Sequence, residues 1–150
     1  MDVAQLSLSF PWVPHTLLFA WLVVMAVQDW RRREVTNWLT LPPFVLGILY
    51  ALDRGGETLV LTGITLVVFL GARAFWKAQG AADIKVLVTL AAFWPEALYA
   101  ALILTAAWSL VRIAKGQGRE AYAGIPPMAA GSLIVLLVLD LLPMAGLIIQ

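Results

Sequence analysis

Apolar residues along this chain fall in long runs rather than in the one-sided stripes of an amphipathic helix. Val3 to Gln28 carries no formally charged side chain, and neither do Val35 to Leu52, Thr58 to Ala72, Ala97 to Val111 and Ala121 to Leu139. A helix needs about 20 mostly apolar residues to cross a bilayer, within a range of roughly 17–25. The pattern predicts crossings near 11–29, 37–52, 58–76, 97–113 and 125–148. The second is short, and its Pro42-Pro43 pair predicts a kinked or broken first turn.

The stretch from Ala78 to Trp94 is ambiguous by hydropathy alone. Its uncharged part, Val86 to Pro95, is too short to span, and it becomes a crossing only if Asp83 and Lys85 are admitted. The basic residues decide. With six crossings, one side of the membrane receives nine of them: Arg31, Arg32, Arg33, Arg73, Lys77, Lys85, Arg112, Lys115 and Arg119. The other side receives only Arg54. Five crossings would move Arg112, Lys115 and Arg119 over and spoil the asymmetry. The positive-inside rule makes the nine-residue side cytoplasmic, with both termini outside. The N-terminus lacks a basic n-region and a small-residue cleavage site, so the first crossing is expected to be retained. Short loops and no internal repeat predict one membrane-embedded domain over residues 1–150, an all-α bundle of about six spans.

Composition agrees and narrows the chemistry. Hydrophobic residues make up 62% of the 150 and charged ones 13%, with a mean hydropathy of +0.90. A soluble domain of this length could not hide so much apolar surface. With no cysteine and one histidine, thiolate sites, disulfides, a conventional zinc site and a Ser-His-Asp arrangement are all disfavoured. A net charge of +1 leaves no nucleic-acid footprint. No cofactor or metal is expected. Carboxylates, hydroxyls and backbone groups remain.

Ionisable residues inside a membrane are costly and each is a functional candidate. Asp29 closes the first predicted span, and Asp83 opens the fourth. Two spans separate them, so both carboxylates return to the cytoplasmic surface. Two carboxylic acids close together in a low-dielectric setting share a proton, because both cannot ionise easily. The ionised member then activates a water, and the protonated one polarises a scissile carbonyl. The plainer readings are structural: Asp83 as a helix cap before Ile84-Lys85-Val86-Leu87, and Asp29 as an interfacial partner of the arginines. Asp140, in the sixth span, has no evident partner and reads as structural.

At these aspartates the sequence resembles a known family. Gln28-Asp29-Trp30-Arg31-Arg32-Arg33-Glu34-Val35-Thr36-Asn37-Trp38-Leu39-Thr40 is similar to the first active-site segment of the type IV prepilin peptidases, GxGD-type membrane aspartic proteases. Gly80-Ala81-Ala82-Asp83-Ile84-Lys85-Val86-Leu87 resembles the GxGD segment, and Gly124-Ile125-Pro126-Pro127-Met128-Ala129-Ala130-Gly131 resembles the Pro-rich opening of the last catalytic-domain span. The resemblance implies a multi-pass protein of the bacterial inner membrane that removes the leader from type IV prepilins or pilin-like proteins at the cytoplasmic face. Asp29 and Asp83 would be catalytic, with Asn37, Gly80, Lys85 and Pro126 supporting them.

The chain also departs from that pattern. Ala82 stands at the second motif glycine and Thr36 at the usual proline. Alanine largely forbids positive φ, so either position 82 is helical, or substrate is held differently, or activity is lost. The last case defines the alternative function, a decayed relative acting as a non-enzymatic pilin-assembly factor. Many members carry a cysteine metal site and methylate the new N-terminus; without cysteine, this chain looks like a short peptidase-only form. Lys85 points about 200° from Asp83 on a helix, towards the interface or a substrate. Asn37 either caps the second span or bonds near Asp29. The seven tryptophans fall near span ends and read as interfacial anchors.

Overall fold

The pairing of rings at opposite ends of neighbouring helices sets the orientation of the bundle. The computed structural model describes residues 12–76, 80–117 and 123–142, and the side chains of all of these except 12, 13, 75, 76, 140 and 141. The described residues form six α-helices and no strand: α1 Trp12–Arg32, α2 Asn37–Arg54, α3 Gly56–Trp76, α4 Ala81–Phe93, α5 Pro95–Ala114 and α6 Ile125–Val135. A π-helical turn, Leu136–Leu141, continues α6. The first five follow the predicted runs to within a few residues, and the sixth begins where predicted; positions 143–148 of that run lie outside the described residues. The side chain of Asp140, and Lys77, Arg119 and Glu120 altogether, lie outside the described residues.

Buried α4 is the axis of the fold. Ile84 and every residue from Val86 to Ala92 are buried, a continuous run that only a helix surrounded on all sides can satisfy. Helix α2 runs parallel to it. Lys85 meets Asn37 near one end, Gly47 packs on Thr89 and Ala92, and Tyr50 meets Phe93 with ring centroids 4.9 Å apart. Helix α1 runs the opposite way, since His15 at its start stacks on Trp94 beyond the end of α4, at 4.6 Å and 3°. Helices α5 and α6 pack together, and a Cβ on Gly131 would lie 2.7 Å from the backbone of Ala100 and Ala101. Only glycine permits that approach of two backbones. The ends of α1 and the starts of α2, α4 and α6 therefore gather at one end of the bundle.

Two expectations change. Of the kinked or broken first turn expected at Pro42-Pro43, the break is not found: α2 runs continuously from Asn37 to Arg54 with both prolines inside it. Pro43 has no N–H for the carbonyl of Leu39, four residues earlier. The indole Nε1–H of Trp21 donates to that carbonyl instead, at 2.9 Å. The freed backbone group is thus satisfied from a neighbouring helix. Trp94 is no interfacial anchor: it is 1% exposed, wedged where α4 ends and Pro95 begins α5. Trp30, Trp38 and Trp108 are exposed.

The outside of the bundle is apolar. Leu17, Val24, Leu46, Leu52, Val60, Val67, Ile103, Leu110, Leu137 and Val138 are all exposed large hydrophobic residues. Gly56–Ala74 and Pro95–Ala114 are long and apolar enough to cross a membrane, and few of their residues are buried. With 13 residues, α4 is about 20 Å long, against about 30 Å for a bilayer core. Three buried hydroxyls bond within their own helices, Thr65 to Leu61, Thr89 to Lys85 and Ser132 to Met128, while those of Thr62 and Thr105 have no partner among the described residues.

Candidate active site

Asp29 lies in the last turn of α1 and is 7% exposed. Its Oδ2 accepts a hydrogen bond from the backbone N–H of Ile125, 96 residues away, at 3.0 Å. A buried carboxylate requires such a donor. The local sequence of α6 supplies it. Gly124 is the N-cap, Ile125 the first helical residue and Pro126 the next. Four positions at a helix start have no intrahelical acceptor for their N–H, and here Pro126 and Pro127 carry no N–H at all. Pro126 thus starts the helix without an unsatisfied donor and leaves the Ile125 N–H for Asp29. The main chain after Asp29 turns sharply: Arg33 adopts φ 55°, and its N–H donates to the Asp29 carbonyl at 2.8 Å. The Thr36 N–H then donates to Gln28 Oε1 at 3.4 Å.

Asp83 is the third residue of α4, not its cap. Gly80 holds the N-cap position, and the Gly80 N–H donates to Asp83 Oδ2 at 3.3 Å. Part of the structural reading of Asp83 is therefore realised, because its carboxylate ties down the helix start. Its other neighbour is Gly124. A Cβ built there would stand 2.8 Å from both carboxylate oxygens of Asp83 and 2.9 Å from Cγ. Asp83 rests on Gly124 while Asp29 accepts from Ile125, so adjacent residues of one turn seat both carboxylates. The Asp29 carboxyl lies near enough to act on Asp83 electrostatically.

Ala82 lies inside α4 and has no positive φ. Of the three consequences foreseen for it, a helical position is the one found, and alanine costs nothing there. Lys85 is half-buried and bonds to neither aspartate. Its Nζ donates to Asn37 Oδ1 and, at 3.5 Å, to Thr40 Oγ1. Asn37 itself neither caps α2, whose N-cap is Thr36, nor bonds to Asp29; it is the acceptor for Lys85.

The structure thus brings Asp29 and Asp83 onto one turn, with Gly80 and Pro126 shaping the helix starts that hold them. Lys85 and Asn37 form a second contact between the same segments. Sequence reasoning placed Gly124, Ile125 and Thr40 inside matched segments but gave none of them a role. Gly124 had one legible signal, a glycine directly before Ile-Pro-Pro at a helix start. The Ile125 contribution is a backbone N–H and leaves no trace in residue identity. Among the described residues, no group of three or more His, Asp or Glu converges as metal ligands.

An all-helical bundle with an apolar exterior and a carboxylate pair gathered at one end is the class of protein that fold and site define. The type IV leader peptidase family profile matches residues 16–116, a stretch that includes both aspartates, Asn37, Gly80 and Lys85. The chain belongs to that peptidase family. Comparison with curated proteins and with solved structures gives no match.

Proposed function

We propose that the protein is a membrane-embedded aspartic endopeptidase that removes the N-terminal leader from type IV prepilins or pilin-like proteins, with Asp29 and Asp83 as its catalytic pair. The observation that carries this reading is the shared seat of the two carboxylates on Gly124-Ile125. A pair held this way retains one proton between its members, because two adjacent carboxylates resist full ionisation. The ionised member takes a proton from water as the oxygen attacks the scissile carbonyl, and the protonated member hydrogen-bonds the developing oxyanion. Collapse breaks the C–N bond, and a proton passes to the leaving amine. One water is consumed and the pair regains its starting state.

The proposed setting is a bacterial inner membrane crossed six times, with the Asp29/Asp83 end on the cytoplasmic face. The apolar exterior supports it. Burying each large aliphatic side chain gains about 1.5–3 kcal/mol. The ten named above are already partly covered, so in lipid they are worth about 9–18 kcal/mol together, of the order of the usual net stability of about 5–15 kcal/mol. The charge pattern supports the orientation: Arg31 and Arg32 lie in the last turn of α1, beside Asp29. Arg54, at the far end of α2, lies over the Tyr50 ring at 5.3 Å. A substrate helix would lie along the bundle in lipid, presenting its leader junction at the aspartates.

The rival reading, a decayed relative that assists pilin assembly without cleavage, drew its support from Ala82. A helical position 82 removes that support, because no glycine conformation is called for there. The decisive experiment is co-expression with a candidate prepilin, scored by the mobility shift of the processed pilin. Asp29→Asn and Asp83→Asn are each expected to abolish the shift while the protein still accumulates in the membrane. Normal processing by either variant refutes the pair.

A further inference from the structure

Helices α1 and α4, which carry the two aspartates, are linked by two bridges. One is the opening of α6, described above. The other runs through Lys85 and has no counterpart in the proposed chemistry. Lys85 stands two residues past Asp83 and is only half-buried, yet its ammonium turns inward across the interface with α2. Its acceptors, Asn37 Oδ1 and the fully buried Thr40 Oγ1, lie three residues apart and so on one face of α2. An ammonium has three protons to donate, and two of them are used here.

Asn37 is the first residue of α2 and ends the short connection from α1. That connection is already fixed at its near end, by Arg33 N–H to the Asp29 carbonyl and Thr36 N–H to Gln28 Oε1. A closed ring results. It runs from Asp29 through the turn to Asn37, across to Lys85, back along α4 to Asp83, onto Gly124-Ile125, and home to Asp29. Opening the ring at Lys85 leaves α6 as the polar bridge at the carboxylate end, while Gly47 and Tyr50 still hold α2 to α4 further along. Helix α4 could then rotate or slide against the α1–α2 turn.

We infer that Lys85 is a positioning residue for the cleavage reaction. Through Asn37 and Thr40 it fixes the α1–α2 turn against the start of α4 and so sets the geometry of Asp29 relative to Asp83. This rests on the proposed aspartic peptidase reading. Lys85 touches neither carboxylate nor, in this role, the substrate. Its removal therefore lowers kcat and leaves KM nearly unchanged, since a misplacement of about 1 Å can cost about a hundredfold in rate.

The test uses the full chain in proteoliposomes with a purified prepilin, comparing Lys85→Met, Asn37→Leu and the double variant. Each single variant is expected to lower kcat by about tenfold to a hundredfold, with KM within about twofold. The double variant should be no slower than the slower single one, because both cut the same link. Lys85→Arg, which keeps a cationic donor of similar reach, should recover part of the rate. Asn37 is exposed, so its variant decides the matter even if Lys85→Met fails to accumulate. Wild-type kcat for Asn37→Leu overturns the inference, as do losses that multiply in the double variant. Asp29→Asn and Asp83→Asn in the same assay separate the two claims. If they are dead while Asn37→Leu is unimpaired, the tie alone is wrong; if they cleave, the carboxylate pair is wrong.

Discussion

Gly124 contributes to the site by having no side chain. The Asp83 carboxylate occupies the space a Cβ would take, with both oxygens 2.8 Å from that point, well inside van der Waals contact. Backbone cannot retreat easily here, because the next N–H is bonded to Asp29. Gly124→Ala must therefore displace Asp83, and we expect kcat to fall by at least about tenfold with little change in the melting temperature. Steady-state kinetics and thermal unfolding of the same preparation check both halves of that statement. At this scale the sequence was partly legible. Asp29 and Asp83 stood out because charges are rare among membrane-embedded residues. Lys85 and Asn37 stood out as motif positions, but each had two open readings, and their bond to one another was neither. A hydrogen bond between residues 48 apart has no local signature.

Among the helices, the most informative are those that break a local rule and find compensation elsewhere. Two adjacent prolines ought to open α2, yet Trp21 of α1 satisfies the carbonyl that Pro43 leaves free. Trp21→Phe keeps the ring and loses the donor, and should cost about 1–3 kcal/mol of stability. In a Pro43→Ala background the helix can satisfy that carbonyl itself, so the same substitution should cost clearly less. Thermal unfolding of the four proteins in one detergent checks the difference. Hydrophobic runs revealed the helices because an uninterrupted apolar stretch of this length has few other solutions. They did not distinguish a central helix from an outer one. Helix α4 looked marginal as a span for its charges and is in fact the shortest of the first five; its apolar run is the most deeply buried among the described residues. Trp94 shows the same gap, since interfacial and core tryptophans look alike in sequence.

The molecule as a whole is built inside out by the standards of a soluble protein, with large aliphatic side chains facing outward on α1, α2, α3, α5 and α6. The proposed topology places the α2–α3 junction and the α5–α6 connection on opposite sides of the membrane. The chain has no cysteine, so Glu57→Cys and Gln117→Cys each introduce a single thiol at an exposed position. In intact cells an impermeant maleimide should label Glu57→Cys, and should reach Gln117→Cys only after the inner membrane is opened. Labelling of both from outside would overturn the six-crossing arrangement. The sequence by itself determined the helical runs, the charge asymmetry and the two acidic residues, because hydropathy and charge are properties each residue carries alone. Only the tertiary structure decided that α4 lies at the centre, that one glycine-led turn seats both aspartates, and that Lys85 ties the helices beside them. Those facts depend on contacts between distant segments, and it is the packing of the whole chain that selects them.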